Sequence, residues 1–178
     1  MDNIIYEKLN QNNFNVNSLD SFIRHQEVTE CLRFINGEWK LVENKFIEDW
    51  DLNKRRNIAE TILKNISLHW IAYGAFSNGQ IAGYIVLSDK RFGSRDQYME
   101  LTLFHVSEPF RRMGIGTKLF GYICNEAKSL GAEKLYISAH SSAESQAVYR
   151  RLGCIHAAEI NAEIAANEPC DVQLECIL

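Results

Sequence analysis

"LTLFHVSEPFRRMGIGTKLFGYICNEAKSLG", residues 101–131, decides how this chain is read. It opens inside "YMELTLFHV" (98–106), which predicts a strand. Ile115, Leu119, Ile123, Ala127 and Leu130 then recur every three or four residues. That spacing predicts an amphipathic helix stopped at Gly131. Between the two lies "RRMGIG" (111–116). A helix entered through Gly114 and Gly116 leaves its first N–H groups without intrahelical partners. The helix dipole adds about half a positive charge at the same end. Glycine has no Cβ, so a ligand can come close to the backbone. Such a turn suits a pyrophosphate, and Arg111 and Arg112 add mobile positive charge. Short glycine turns also join strands to helices without binding anything, so the six residues alone leave both readings open. They are neither a GxGxxG dinucleotide fingerprint nor a GxxxxGK[ST] P-loop.

Working outward, "KLYISAH" (134–140) is a strand expected to lie parallel to 98–106 through a right-handed crossover. Ligands favour the carboxyl ends of such strands. "SAESQAVYRRLG" (142–153) predicts a helix capped by Ser142 and stopped by Gly153. "CIHAAEI" and "DVQLECIL" predict two closing strands, with a short helix between them. Upstream, Ser77-Asn78-Gly79 separates the arms of a hairpin at 70–76 and 80–88, followed by a polar loop over 89–97. A helix is expected at 51–66 with Asp51 as its N-cap. Asn36-Gly37 marks a second hairpin within 30–42. Leu19, Phe22 and Ile23 predict a short helix over 18–28, and residues 1–17 read as a polar, loosely held N-terminal segment. The whole is an α/β domain with a mixed sheet, spanning 18–178.

Composition narrows the function classes. The 178 residues, 46% hydrophobic and 24% charged, fit one ordinary globular domain. A net charge of -4 argues against a dedicated nucleic-acid binder. No run approaches the roughly 18 apolar residues of a membrane span. The N-terminus lacks the pattern of a secretory signal, so a cytoplasmic protein is expected. Five cysteines, Cys31, Cys124, Cys154, Cys170 and Cys176, show no CxxC spacing. Buried reduced thiols are expected, with no disulfide framework and no metal site.

With these elements in order, "HVSEPFRRMGIGTKLF" resembles the acetyl-CoA motif of the GNAT superfamily of N-acetyltransferases. That motif is Arg or Gln, two residues, Gly, one residue, then Gly or Ala; Arg111, Gly114 and Gly116 fill it. "LYISAHSSAESQAVYRRLGC" resembles the superfamily's next strand and helix. The likeness runs from about residue 18 to the end. It is nearest to a bacterial subgroup sharing "FGSR", "SAHSS" and an "EPCD.QLE" ending. Ser142 stands where many members carry Asn, and Cys154 where many carry an aromatic. The resemblance implies a mostly antiparallel sheet with helices on both faces. Its central parallel strand pair would splay around acetyl-CoA.

The implied reaction moves an acetyl group from a thioester to a primary amine by direct attack. Amides of Arg111, Arg112, Met113, Gly114, Ile115, Gly116 and Thr117 would hold the pyrophosphate, and the N–H of Val106 the thioester oxygen. Ser142 would reach the pantetheine or adenine side, or serve only as an N-cap. Tyr149 is the candidate general acid, since a phenol with pKa about 10 can protonate a departing thiolate. A core tyrosine is the plain alternative. Glu100 is the candidate base, six residues before Val106 and on the same sheet face unless a bulge intervenes. His105 or water is the other choice, with His105 expected on the face away from Glu100. Arg24, His25, Glu27, Trp39, Trp50 and Trp70 are candidate acceptor-lining residues. The acceptor would be a small-molecule or peptide amine. A homodimer is compatible with the sequence, and no nucleic acid or membrane partner is expected. The competing class is an acyl-CoA binding or sensing module without acceptor chemistry.

Overall fold

The structure, a computed structural model, describes residues 3–178. Its strands are β1 (Ile5–Lys8), β2 (His25–Ile35), β3 (Glu38–Asp49), β4 (Ile71–Ser77), β5 (Gln80–Phe92), β6 (Tyr98–Val106), β7 (Lys134–Ala139), β8 (Ile155–His156) and β9 (Val172–Ile177). The helices are α1 (Leu52–Ile66), α2 (Ile115–Ser129), α3 (Ala143–Arg151) and α4 (Ala162–Asn167). Seven strands form one sheet in the order β1-β4-β5-β6-β7-β9-β8, while β2 and β3 pair only with each other. Every neighbouring pair is antiparallel except β6 with β7. The fold is mixed α/β with one parallel pair, as the motif order implied.

Two apolar layers sandwich the sheet. Ile115, Leu119 and Ile123 of α2 are buried against Ala82, Ile85, Leu87 and Leu135. Each such side chain contributes about 1.5–3 kcal/mol. Tyr149 and Leu152 of α3 pack on this face too. The opposite layer joins Ala59 and Ile62 of α1 to Ile81, Tyr84 and Val86, with Leu9, Phe14, Leu19 and Phe22. On that face Tyr136 accepts a bond from the N–H of Asn161, the N-cap of α4.

Several elements differ from expectation. Within 1–17, residues 5–8 form an edge strand on β4, and Leu9 and Phe14 are buried; Met1 and Asp2 lie outside the described residues. No helix spans 18–28. The N–H groups of Ser18, Asp20 and Phe22 each bond a carbonyl three residues back, and Arg55 Nη1 donates to the carbonyls of Asp20 and Phe22. No ladder of bonds four residues back forms, and the segment is a series of turns. The chain is already in β2 at His25. The hairpin around Asn36-Gly37 is far longer than 30–42, and both turn residues are left-handed, at φ 53° and 84°. β5 runs on to Phe92, into the expected loop. β8 is only two residues long. Cys31, Cys154 and Cys176 are buried thiols and Cys124 is half-buried, but Cys170 is exposed. Among the described residues no helix is long and apolar enough to cross a membrane, and no metal-ligand cluster is found.

Candidate active site

The parallel pair is the origin of the site. β6 and β7 share register only over Tyr98–Glu100 and Lys134–Tyr136. Beyond that, β6 continues to Val106 and β7 to Ala139 with no pairing between them. A bulge accompanies the parting: β5 pairs Leu87 with Leu101 and then Val86 with Leu103, leaving Thr102 extra. A bulge bends its strand and increases its twist. The Thr102 hydroxyl donates to the Val86 carbonyl.

The bulge reverses which way β6 side chains point. Leu101 faces the α2 layer, Leu103 the α1 layer, and Phe104 and Val106 the α2 layer again. Glu100 and Val106 therefore lie on opposite faces, and Glu100 shares its face with His105. Both expectations about faces are overturned, for the one reason that would do so.

The opening between the strands has a lining of main-chain donors. Ser107 N–H bonds the Ala82 carbonyl on the β5 side. Strand alternation then turns the N–H groups of Val106 and Phe104 toward the gap. Val106 was expected there. Phe104 was not, since nothing in an apolar side chain marks its amide as a donor.

The glycine turn closes one end of the gap. Arg112 and Gly114 are left-handed, at φ 63° and 78°. The first intrahelical bond runs from Lys118 N–H to the Gly114 carbonyl. Among the described residues, no acceptor takes the N–H groups from Arg112 to Thr117. They form an unpartnered run at a helix N-terminus, which is an anion cradle. The glycines do different jobs. A Cβ on Gly114 would meet nothing within 4 Å, so its need is the positive φ. A Cβ on Gly116 would lie 3.2 Å from the Phe104 ring, so Gly116 lets α2 settle close on β6. The charge of Arg111 is not mobile. Its Nε donates to the Val106 carbonyl at 3.2 Å and its Nη1 to the His25 carbonyl at 2.8 Å.

The titratable candidates separate clearly. The Tyr149 ring meets Phe104 edge-on, with centroids 6.2 Å apart, on the α2 face. Burial, with Cys154 and Asp171 nearby, pushes its hydroxyl pKa up, so it stays protonated at neutral pH. Burial and then Glu163 push the Glu100 carboxyl up, making it a stronger base once ionised. His105 is wedged between Trp50 and Tyr84. Burial, followed by Arg24, Arg111, Lys54 and His140, holds it down at about 3. That is too weak for a base at neutral pH. Ser142 is fully buried; its Oγ caps α3 through Ser145 N–H and accepts from Gln26. Of the acceptor-lining candidates, Arg24 and Trp50 are buried beside His105. Trp70 packs in the α1 layer, and Trp39 stacks on His156 instead. A cleft of about 510 Å³ opens on the α1 face, lined by Lys54, Asn57, Thr61 and Leu103 among others. His25 and Glu27 stand at the start of β2, paired with Asp49 and Ile47.

The sequence matches the profile of the Acetyltransferase (GNAT) family over residues 33–154. The chain belongs to that family. The GNAT chain matches no curated protein. Its fold recurs in nourseothricin acetyltransferase, with a TM-score of 0.71 at 14% identity over 98% of both chains. A Bacillus anthracis str. Ames protein assigned as a streptothricin acetyltransferase, solved with acetyl coenzyme A, matches at 0.66 and 18% identity. That match covers 97% of this chain and 96% of the other. A GNAT acetyltransferase from Elizabethkingia anophelis with acetyl-CoA bound matches at 0.52 and 24% identity, over 67% and 82%. The first two likenesses show a shared fold across almost the entire chain.

Proposed function

We propose that this GNAT enzyme transfers acetyl from acetyl-CoA directly to a primary amine. The observation that carries the reading is the unpartnered run of N–H groups from Arg112 to Thr117, set at one end of the gap between β6 and β7. The pyrophosphate binds these amides. The pantetheine arm lies along the free edge of β6, as an added strand would. Ser142 acts by capping α3, since its hydroxyl is shut away beneath β2. Acetyl-CoA complexes of structural neighbours support the same donor.

The chemistry then divides between the faces. The amine approaches from the α1 face, where Glu100 takes its proton. Its nitrogen bonds the thioester carbon, and the N–H groups of Phe104 and Val106 stabilise the oxyanion. The C–S bond breaks, and the thiolate takes the proton of Tyr149 from the α2 face. Glu100 offers its carboxylate to the α1 side because it alternates with Met99 and Leu101, while the amides of Phe104 and Val106 lie in the plane of the sheet toward the gap.

A thermal-shift titration with acetyl-CoA tests the donor. The wild type should be stabilised, and Gly114→Glu should not, because its carboxylate meets the pyrophosphate. Absence of a shift in the wild type would overturn the reading. Thiol release over a panel of amines then identifies the acceptor. Nourseothricin and streptothricin head that panel, being named in the two end-to-end structural matches.

A further inference from the structure

On the α1 face, where the amine is placed, a second group of polar side chains stands on β7 and just before and on β9, past the level of Glu100. Ser138 of β7 is opposite Gln173 of β9, and Asp171 immediately precedes that strand. The Gln173 Nε2 donates to the Ser138 Oγ at 2.9 Å, and that hydroxyl donates to Asp171 Oδ2 at 3.4 Å. The other end of the Gln173 amide, Oε1, has no hydrogen-bond partner among the described residues, although Gln173 is only 9% exposed. A buried acceptor without a donor is costly to keep. Asp171 is half-buried, and among the described residues its one side-chain bond is the long one from Ser138. Burial, then Glu168, with Glu48 adding to it, raises its carboxyl to about 6, against weaker pulls from Ser138 and Arg33. Two acceptors short of donors thus belong to one hydrogen-bonded group, Gln173–Ser138–Asp171. A primary ammonium carries three N–H donors and one positive charge, which is the complement of this group.

We propose that Asp171, Gln173 and Ser138 form a subsite for a second ammonium group of the acceptor. The enzyme would then acetylate one end of a long diamine while holding the other. The inference rests on the acetyltransferase reading above for the placement of the reacting end. Strand register sets the span. Glu100 is level with Tyr136, and Asp171 lies beyond the level of Ser138, alongside the unpaired part of β6. β6 and β9 are two strand spacings apart, roughly 10 Å, and Asp171 stands four residues, roughly 13 Å, further along the strands, so the two positions are roughly 16 Å apart, or about 11 Å between the two nitrogens once a hydrogen bond of about 2.8 Å is allowed at each end. A short diamine cannot bridge that distance, and an eight-carbon one can.

Calorimetric titration in the presence of free coenzyme A tests this without turnover. The probes are diaminooctane and octylamine, which share chain length and differ in the second ammonium. The diamine should bind the wild type at least tenfold more tightly. Asp171→Asn should remove that advantage and leave octylamine binding unchanged. Gln173→Leu is the second variant should Asp171→Asn fail to fold, and it should weaken only the diamine. Equal affinity for the two amines, or binding of neither, overturns the subsite. Failure of the acetyltransferase reading shows separately, as absence of thiol release from acetyl-CoA with every amine.

Discussion

Glu100 and His105 sit on one face of β6, yet their surroundings drive them to opposite uses. Burial and Glu163 raise the Glu100 carboxyl above its ordinary 4.5. Activity should therefore rise with pH through an acid limb displaced above 4.5. Glu100→Gln should lower turnover about 10²–10⁴-fold and abolish that limb. Tyr149→Phe should lower turnover while leaving the acetyl-CoA thermal shift intact; unchanged turnover would remove it from the acid role. His105 is a stability group. Its folded pKa of about 3 lies below the ordinary 6.5, so the unfolded chain binds a proton that the native state refuses. Stability from this site is complete above pH 6.5 and falls as pH drops toward 3. The melting temperature of His105→Phe, followed from pH 7 to 4, should decline less than that of the wild type. A parallel decline would place the acid sensitivity elsewhere. The sequence named both residues, but their faces rested on unbroken alternation. One extra residue at Thr102 reverses that alternation, and no signal in "ELTLFH" announces it.

Elements whose ends are written in side-chain chemistry were legible. Asp51 caps α1 by accepting from Lys54 N–H, and Ser142 caps α3 in the same way. The Asn-Gly turns at 36–37 and 78–79 sit where both hairpins reverse, each with positive φ at both residues. β6 was located to the residue, and α2 was stopped where Gly131 turns left-handed, at φ 85°. What failed was the stretch 1–28, where turns closed three residues back and the bonds of Arg55 to the Asp20 and Phe22 carbonyls stand in place of the helix that short apolar spacings suggest. Ser142 was legible as a cap but not as a buried one, because its cover comes from β2, more than a hundred residues earlier. Gln26 Nε2 donates to its hydroxyl at 2.9 Å. Ser142→Ala removes the cap and leaves that donor with only a 3.4 Å contact to Glu144. The cost should be about 1 kcal/mol. Scanning calorimetry should show a midpoint lower by roughly 2–4 °C. An unmoved midpoint would mean that water caps α3 equally well.

At the scale of the whole molecule, the splay that opens the site needs a restraint, and the β2–β3 hairpin supplies one. β6 and β7 part after Glu100 and Tyr136, so nothing in the main sheet holds their tips at a fixed separation. β2 reaches both. Arg111, just past β6, donates to the His25 carbonyl at 2.8 Å. Leu32 N–H bonds the Ser141 carbonyl at 2.7 Å just past β7, and Arg33 donates to the Ser141 hydroxyl. The hairpin thus spans the mouth of the gap from one tip to the other. Arg111 belongs to the acetyl-CoA motif by sequence, but its guanidinium is spent on this restraint, with burial lowering its pKa. Arg111→Ala should loosen the hairpin at its first residues. Bonds from a charged donor contribute about 1.5–3 kcal/mol each, so the effect should be large enough to measure. Hydrogen exchange should quicken in β2 near His25 and Gln26 and stay slow in β4 and β5. Acetyl-CoA affinity should fall together with it, because the gap no longer holds its width. Weakened affinity with unchanged exchange in β2 would show instead that Arg111 acts on the cofactor by its charge alone.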